Sequence, residues 1–146
     1  MFEKPKQMPS RDINQLHPAV KVRAEKLIAE CLKQGLPIII TQTYRTAEYQ
    51  HRLYSQGRFG ALKNKPIVTK CDSGTSPHEF RIAFDFCINI KGKAWDKNLM
   101  RKVGYIGKTL GLTWGGDWKS FPDFPHFEYT GKYTHAQIRA GKIPTS

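Results

Sequence analysis

Two helices are predicted in the first part of the chain from apolar spacing and from the residues at their ends. The first begins after His17, where Pro18 suits an early helical position, and Gly35 suits its C-cap. The second begins after Thr46, a residue type that caps helix N-termini, and ends near Gln56. Apolar residues recur at helical spacing along the first helix, which is therefore expected to pack one face on the core.

Two further helices are predicted towards the C-terminus. The longer covers residues 96–110, with an apolar stripe, and contains Gly104 and Gly107, which would allow close packing against a neighbouring element. The shorter covers residues 134–140 and is closed by Gly141.

Short apolar segments between these helices are predicted to be strands. Residues 36–43 are apolar and rich in β-branched side chains, which is typical of a buried strand. Residues 66–70 and 124–129 are shorter candidates, and residues 82–90 alternate in the manner of a half-buried strand. The glycine-rich aromatic segment 114–118 is expected to be a loop.

The alternation in residues 82–90 determines where two residues of chemical interest face. Asp85 shares one face with Ala83 and Cys87, and the large apolar residues between them point the other way. His78 has the opposite parity, so a regular strand through both residues would separate His78 from Asp85. The two side chains converge only if His78 lies on a preceding loop or a bulge intervenes, and Pro77 favours the loop.

Length and composition indicate one compact domain of 146 residues, of which 39% are hydrophobic and 12% aromatic. Residues 1–16 are expected to form an extended lead-in. No apolar run approaches the roughly 20 residues of a membrane helix, and residues 1–6 are not followed by the apolar core of a signal peptide. We therefore expect synthesis in the cytoplasm, with another exit route for any action outside. No linker indicates a second domain.

The chain is strongly basic, with 24 Lys and Arg against 12 Asp and Glu and a net charge of +12. Such a charge indicates an anionic partner. Nucleic acid is one candidate, but the basic residues are scattered and no nucleic-acid-binding motif is present. Phosphate-rich envelopes and acidic wall polymers fit equally well, so the charge alone does not choose the partner.

Several other residues receive structural interpretations. The three cysteines form no C-x-x-C pair and are expected to be free thiols; they are Cys31, Cys71 and Cys87. Three histidines are expected at the surface or at helix caps: His17, His51 and His135. Trp114 and Trp118 are expected in the core or a cleft wall, and Asp117 in a turn. Glu128 is expected to be a solvated strand residue, with a supporting role to a ligand histidine as the alternative.

Four residues suggest a metal-dependent hydrolase. A catalytic zinc site needs three nitrogen or oxygen ligands and an open position for water, and His78, Asp85 and His126 supply such a set. Asp123 lies three residues before His126, so a turn between them would present both side chains to one cleft. Attack on an amide also needs a proton acceptor and a cation near the oxyanion, for which Asp123 and Arg45 are the candidates. Neither spacing is specific by itself.

The order of several motifs makes the interpretation more specific. The chain resembles the M15 zinc peptidases, in particular the L-alanyl-D-glutamate endopeptidases of phage endolysins and bacterial wall hydrolases. The resemblance covers residues from about 12 to 142. The matching segments, in chain order, are Leu16-His17-Pro18, residues 41–46 (TQTYRT), residues 53–58 (LYSQGR), Val68-Thr69, Ser76-x-His78-x6-Asp85, residues 114–118 (WGGDW) and Asp123-x-Pro125-His126-Phe127.

The resemblance implies an α+β fold with a small, mostly antiparallel sheet flanked by helices and a zinc site at the sheet cleft, as in Hedgehog and D-Ala-D-Ala peptidase domains. It implies zinc on His78, Asp85 and His126, and Asp123 as the catalytic base. It also implies that Arg45 and Ser76 contact carbonyl or carboxylate groups of the substrate. One departure is Arg81, where the family usually has glycine; a side chain there is expected to crowd the cleft or to contact an anionic substrate.

These observations predict a single catalytic domain over residues 1–146, without a separate wall-binding domain, that cuts peptidoglycan stem peptides between L-Ala and D-Glu. A monomeric phage endolysin is expected, held in the host cytoplasm until a holin opens the membrane and then attracted to the anionic envelope. The alternatives are a D-alanyl-D-alanine carboxypeptidase and a non-catalytic, zinc-containing wall-binding module. A third is a nucleic-acid-binding protein, although specific nucleic-acid binding is not expected.

Overall fold

Four α-helices and four β-strands alternate irregularly in the computed structural model, which describes residues 9–146. In chain order they are α1 (Pro18–Lys33), β1 (Ile38–Gln42), α2 (Ala47–Ser55), β2 (Ala83–Ile88), α3 (Lys97–Thr109), β3 (Thr113–Trp114), β4 (His126–Glu128) and α4 (His135–Arg139). A short 3-10 helix precedes α1 at Ile13–Gln15, and others lie between the later elements at Gly60–Leu62, Pro77–Phe80 and Gly115–Asp117. None of the described helices is both long and apolar enough to cross a membrane.

The four strands form one sheet in the order β1-β2-β4-β3, and every neighbouring pair is antiparallel. The predicted α+β class with a small antiparallel sheet is therefore confirmed. Helices α1 and α3 pack together and against the sheet, so that the core lies between helices and strands. The opposite face of the sheet is left for polar side chains.

The side-chain alternation predicted for the central strand β2 is confirmed. Phe84, Phe86 and Ile88 are buried in the core, whereas Asp85 and Cys87 lie on the other face and are only partly buried. Fully burying a phenylalanine stabilises the fold by about 1.5–3 kcal/mol, so the core holds β2 in this orientation. Asp85 thereby faces away from the core.

A β-bulge at the end of β1 turns the following residues towards Asp85. Ile40 pairs with Phe86, but the next pair is Gln42 with Asp85, so Thr41 is an extra residue on this strand. If the strand were regular through Thr41, without the bulge, Gln42 would have the parity of Ile40 and point into the core. No pattern in residues 36–43 predicts this bulge.

The helix predictions are confirmed to within two residues at each end, and their caps follow ordinary chemistry. The Thr46 and Thr134 side chains accept hydrogen bonds from the backbone N–H groups of Tyr49 and Gln137, which satisfies donors left free at a helix N-terminus. Gly35 adopts a left-handed φ of 75° just after α1, a conformation that glycine reaches without steric cost.

Three local predictions are wrong. Residues 66–70 form no strand. They lie on a largely exposed segment that is not part of the sheet. The segment 114–118 is not only a loop, because Trp114 belongs to β3 and Gly115–Asp117 forms a 3-10 helix. The extended lead-in holds a 3-10 helix at Ile13–Gln15, and residues 1–8 of that prediction lie outside the described residues. The cysteines are free thiols, as expected, and Cys31 is buried.

Two glycines bring α3 close to the sheet. A Cβ atom on Gly107 would lie 2.3 Å from Cε1 of Phe127, and one on Gly104 would lie 2.5 Å from Cδ2 of Trp114. Both distances are far below van der Waals contact, so the predicted role of these glycines in close packing is confirmed. Phe127 and Trp114 are paired residues of β4 and β3, and the glycines therefore set how closely the helix approaches these strands.

We expect Gly107→Ala to lower the free energy of unfolding by about 1–3 kcal/mol, because the added methyl group overpacks the core. The accompanying gain in helix propensity is only about 1 kcal/mol. Urea unfolding measures the difference. The control is Lys102→Ala, at an exposed position of the same helix, which should change stability by less than about 0.5 kcal/mol. Equal stability of Gly107→Ala and the parent would contradict this packing argument.

Candidate metal centre

The polar face of the sheet forms the floor of a cleft of about 690 Å³. One wall is the segment 68–71 and the opposite wall is the segment 118–121. The Lys70 ammonium donates hydrogen bonds to the Ser120 hydroxyl at 2.6 Å and to its backbone carbonyl at 3.0 Å, so the two walls meet at one point. Trp118 lines this cleft, whereas Trp114 is buried, in agreement with the prediction of cleft wall or core for the two tryptophans.

Two of the predicted ligands are direct neighbours across two strands. Asp85 on β2 pairs with His126 on β4, and residues paired in this way project from the same face of a sheet. The Nδ1 atom of His126 lies 3.3 Å from Oδ1 of Asp85. Strand pairing alone therefore brings a nitrogen and an oxygen ligand together.

The third predicted ligand comes from a short 3-10 helix before β2, which agrees with the first of the two possibilities that the parity argument left open. Ser76 caps this helix by accepting from the His78 N–H, and Glu79 completes a capping box by accepting from the Ser76 N–H. His78 is almost fully buried, and its Nε2 lies 3.2 Å from Oδ1 of Asp85. The same carboxylate oxygen thus faces both imidazoles.

The remaining ring nitrogens of the two histidines are held by hydrogen bonds. Nδ1 of His78 lies 2.9 Å from the Thr43 carbonyl oxygen, which only accepts, so Nδ1 carries the proton and leaves Nε2 as the ligand atom. Nε2 of His126 lies 2.7 Å from Oε1 of Glu128, an arrangement that directs Nδ1 towards Asp85. Support of this kind is usual for metal-binding histidines.

The charges around Asp85 favour a cation at this point. Burial would raise the pKa of Asp85, but the adjacent His78 and His126 outweigh burial and hold the pKa well below its usual range. Burial would likewise lower the pKa of His126, but its hydrogen bonds to Asp85 and Glu128 raise that pKa to about 10. Burial lowers the pKa of His78, and the Arg45 charge lowers it further. Asp85 is therefore ionised, and positive charge is stabilised between it and Glu128.

The arrangement of His78, Asp85 and His126 fits a zinc ion. One ligand atom from each residue lies within 4.8 Å of the others. A tetrahedron with Zn–N and Zn–O bonds of about 2.0–2.1 Å has edges of about 3.3–3.4 Å, close to the 3.2 and 3.3 Å separations from Asp85. Two imidazoles and one carboxylate match the ligand types and number of catalytic zinc sites, which keep one position open.

Arg45, predicted as a substrate-binding cation, lies beside this triad and lines the cleft. It follows the β1 bulge, and its guanidinium donates to Gln42 at 2.7 Å, Gln50 at 3.1 Å and Asp85 at 3.4 Å. A guanidinium has five N–H donors, so these three contacts leave two donors for another group. Gln50, which is fully buried, also donates to the Cys71 carbonyl in the cleft wall.

Asp123, predicted as the base, lies at the edge of the same triad. Its Oδ2 is 3.9 Å from Nδ1 of His126, and 39% of its side chain is exposed to the cleft. Burial raises the pKa of the Asp123 carboxyl despite the opposing charge of His126. The Asp123 backbone approaches Gly115 so closely that a Cβ atom on Gly115 would lie 2.5 Å from the Asp123 carbonyl oxygen. The glycine-rich segment 114–118 thus supports the turn that carries Asp123.

Ser76 lines the cleft, but its hydroxyl also serves as the cap of the 3-10 helix that carries His78. Arg81 lies outside the cleft, so the expectation that it crowds the cleft or contacts substrate there is wrong. Its guanidinium bonds to Gln15 at 2.7 and 3.0 Å and stacks on Tyr44, 4.0 Å from the ring centroid. Its left-handed φ of 61° explains why glycine suits this position.

The expectation that Glu128 is a solvated strand residue is wrong, because only 2% of it is exposed, and its bond to His126 matches the alternative of a supporting contact to that histidine. The contact of His135 with Glu128 is the part that the sequence interpretation missed. His135 is half exposed at the start of α4, but its Nε2 bonds to the other oxygen of Glu128. The available signal was parity, since Glu128 lies two residues after His126 on the same strand face. His51 is exposed, as expected, and pairs with Asp72 at 2.8 Å.

Comparison with known proteins adds independent information about the chain. A peptidase M15 family model, described as D-alanyl-D-alanine carboxypeptidase, matches residues 70–129. The peptidoglycan L-alanyl-D-glutamate endopeptidase CwlK of Bacillus subtilis is 40% identical, over 77% of this chain and 72% of its own length. The L-alanyl-D-glutamate peptidase of Listeria phage A118 is 29% identical over 83% of this chain, which spans 40% of the phage protein.

A solved structure supports the fold. Vancomycin resistance D,D-pentapeptidase VanY of the VanB-type cassette, in complex with Zn(II), superposes with a TM-score of 0.63 over 88% of this chain and 80% of its own. The two sequences are 15% identical, so the likeness concerns the fold. Residues 70–129, which the family model matches, include every proposed metal ligand and Asp123.

We expect the purified protein to bind one zinc ion per chain, and His78→Ala to abolish that binding because it removes a ligand from a three-ligand site. Elemental analysis by plasma mass spectrometry measures the metal content. The matched control is His51→Ala, which removes an exposed histidine that is likewise paired with an aspartate and should keep its zinc. A parent protein without zinc, or a His78→Ala variant with a full complement, would contradict the assignment.

Proposed function

The chain belongs to the M15 peptidase family, and from that premise we propose that it is a zinc-dependent endopeptidase that cuts peptidoglycan stem peptides between L-Ala and D-Glu. The observation that carries the proposal is the convergence of His78, Asp85 and His126 beside Asp123 in an open cleft. The bond assignment is supported by the relatives from Bacillus subtilis and Listeria phage A118, which are named for this specificity.

The proposed mechanism assigns separate tasks to the side chains of the cleft. His78, Asp85 and His126 would hold the zinc ion, which when bound would supply Lewis-acid chemistry that polarises a carbonyl and lowers the pKa of water. Asp123 accepts the proton of the attacking water and passes it to the departing D-Glu amine. The raised pKa of Asp123 suits this task, because a more basic carboxylate accepts a proton more readily.

Arg45 is proposed to bind and orient the substrate. Its three contacts with Gln42, Gln50 and Asp85 fix the plane of the guanidinium, and the two remaining N–H donors are available to a carbonyl or carboxylate oxygen. A preorganised donor of this kind stabilises negative charge that develops during attack on an amide. Ser76 is proposed as a second contact at the cleft, alongside its capping role.

The biological setting proposed is host lysis by a phage. The phage relative supports this setting, and the net charge of +12 would hold the enzyme on an anionic envelope. Release from the host cytoplasm to the wall, action as a single catalytic domain and a monomeric state are parts of the same proposal. Peptidoglycan, rather than nucleic acid, is the proposed partner because the Bacillus subtilis relative is named as a peptidoglycan endopeptidase.

A D-alanyl-D-alanine carboxypeptidase is the second candidate, because the matching family model carries that description. The two activities leave different products: the endopeptidase creates new D-Glu amino termini and L-Ala carboxyl termini, whereas the carboxypeptidase releases free D-Ala. Mass spectrometry of digested peptidoglycan therefore separates them. Free D-Ala without new D-Glu termini would overturn the bond assignment, and no product of either kind would favour a non-catalytic wall-binding module.

We expect Asp123→Asn to retain zinc and to lose about 10²–10⁴-fold in activity, because an amide of the same shape does not accept the proton. Lysis of purified sacculi, followed by turbidity, measures the loss. Asp117→Asn is the matched control, since Asp117 lies in the neighbouring segment and pairs with Lys108 outside the cleft. The proposed base would be wrong if Asp123→Asn lysed sacculi as fast as the parent.

A further inference from the structure

We propose that Glu128 and His135 are positioning residues that set the zinc affinity of the site by holding the ring of His126 in its ligand orientation. The inference rests on the proposed function, because it takes His126 as a zinc ligand. It concerns two residues that touch neither the ligand atoms nor the cleft. Neither residue lines the cleft formed by the described part of the chain.

The first contact fixes the His126 ring. Glu128 follows His126 by two residues on β4, so both side chains project from the same face of the sheet. The Glu128 Oε1 atom accepts from Nε2 of His126 at 2.7 Å, and the other ring nitrogen faces Asp85 at 3.3 Å. Rotation of the ring would break both contacts. The buried carboxylate therefore selects Nδ1 as the ligand atom.

The second contact fixes Glu128 in turn. Its other oxygen, Oε2, accepts from Nε2 of His135, the first residue of α4. A capping box made by Thr134 and Gln137 forms the N-terminus of that helix and holds its first turn in place. An ionised carboxylate that is 2% exposed needs partners for both oxygens, and the two histidines supply them. Alanine at position 135 would leave one oxygen without this partner.

These contacts affect the free energy of zinc binding, because a metal must order the side chains that bind it. A ligand side chain that is already held in place loses little freedom when the metal binds, and a carboxylate behind the imidazole makes it a stronger donor. The hydrogen-bonded series His135–Glu128–His126 both holds the His126 ring in place and puts a carboxylate behind it. It reaches from a half-exposed histidine on a helix to the proposed metal ligand in the sheet.

A purely structural role is the competing explanation. In that case the Glu128–His135 contact only fastens α4 to the sheet, and its loss would lower thermal stability without changing zinc affinity in the folded protein. Zinc affinity measured well below the melting temperature separates the two explanations. It is also a measurement that does not depend on catalytic activity.

The experiment uses the full chain and compares the parent with Glu128→Ala, Glu128→Gln and His135→Ala. Competition with a chromophoric chelator gives the zinc dissociation constant, and circular dichroism gives the melting temperature of each metal-free protein. Glu128→Gln preserves side-chain volume and serves where the alanine variant does not fold. His51→Ala is the matched control, because His51 also bonds a carboxylate, that of Asp72, at a site away from the triad.

Loss of the supporting carboxylate should weaken zinc binding by about 10- to 100-fold in Glu128→Ala. Glu128→Gln should lose less, because its amide oxygen still accepts from His126. His135→Ala should also lose less than Glu128→Ala but bind zinc more weakly than His51→Ala, which should match the parent. A graded series of this kind supports the proposal.

Zinc affinities of both Glu128 variants within about twofold of the parent would overturn the proposal. An unchanged affinity of His135→Ala, with weakened Glu128 variants, would overturn the part that concerns His135. Failure of the proposed function looks different, because then the parent itself binds no zinc or His78→Ala binds it equally well. A parent that binds zinc and variants that match it would refute the positioning role alone.

Discussion

The antiparallel pairing of Asp85 with His126 is the constraint on which the candidate metal centre depends. Paired residues share a sheet face, so this register places a carboxylate and an imidazole 3.3 Å apart. The adjacent pair, Phe84 with Phe127, is buried on the opposite face. A slip of one residue would exchange the two faces and expose the phenylalanines. The hydrophobic core therefore holds the register that builds the site.

The other residues of the centre are each brought to this pair by a separate local structural feature. A capped 3-10 helix brings in His78, a β-bulge turns the end of β1 so that Arg45 follows, and the glycine at 115 lets the turn bearing Asp123 approach. The buried charges are compensated within the cluster. No buried side-chain nitrogen or oxygen in residues 9–146 lacks a hydrogen-bond partner, so the arrangement avoids the penalty of unpaired polar groups.

Much of this organisation can be predicted from the sequence, and the features that cannot be predicted have physical causes. Helices with strong caps, such as those after Thr46 and Thr134, and the alternation of β2 depend on local chemistry. The parity of His78 and Asp85 required a non-strand position for His78 or a bulge, and Pro77 correctly favoured the position before the strand. The β1 bulge and the contact of Glu128 with His135 depend instead on tertiary packing, which no local pattern records. Residues 66–70 have strand propensity, but without a partner strand that propensity is not realised.

The position of a bound zinc ion is the most direct test of the proposed metal centre. Crystals grown with zinc, measured on both sides of the zinc absorption edge, would give an anomalous difference peak at each bound ion. We expect one strong peak in contact with Nε2 of His78, Nδ1 of His126 and a carboxylate oxygen of Asp85, with Nε2 of His126 still bonded to Glu128. A structure without a peak among these atoms, or with zinc on Nε2 of His126, would contradict it.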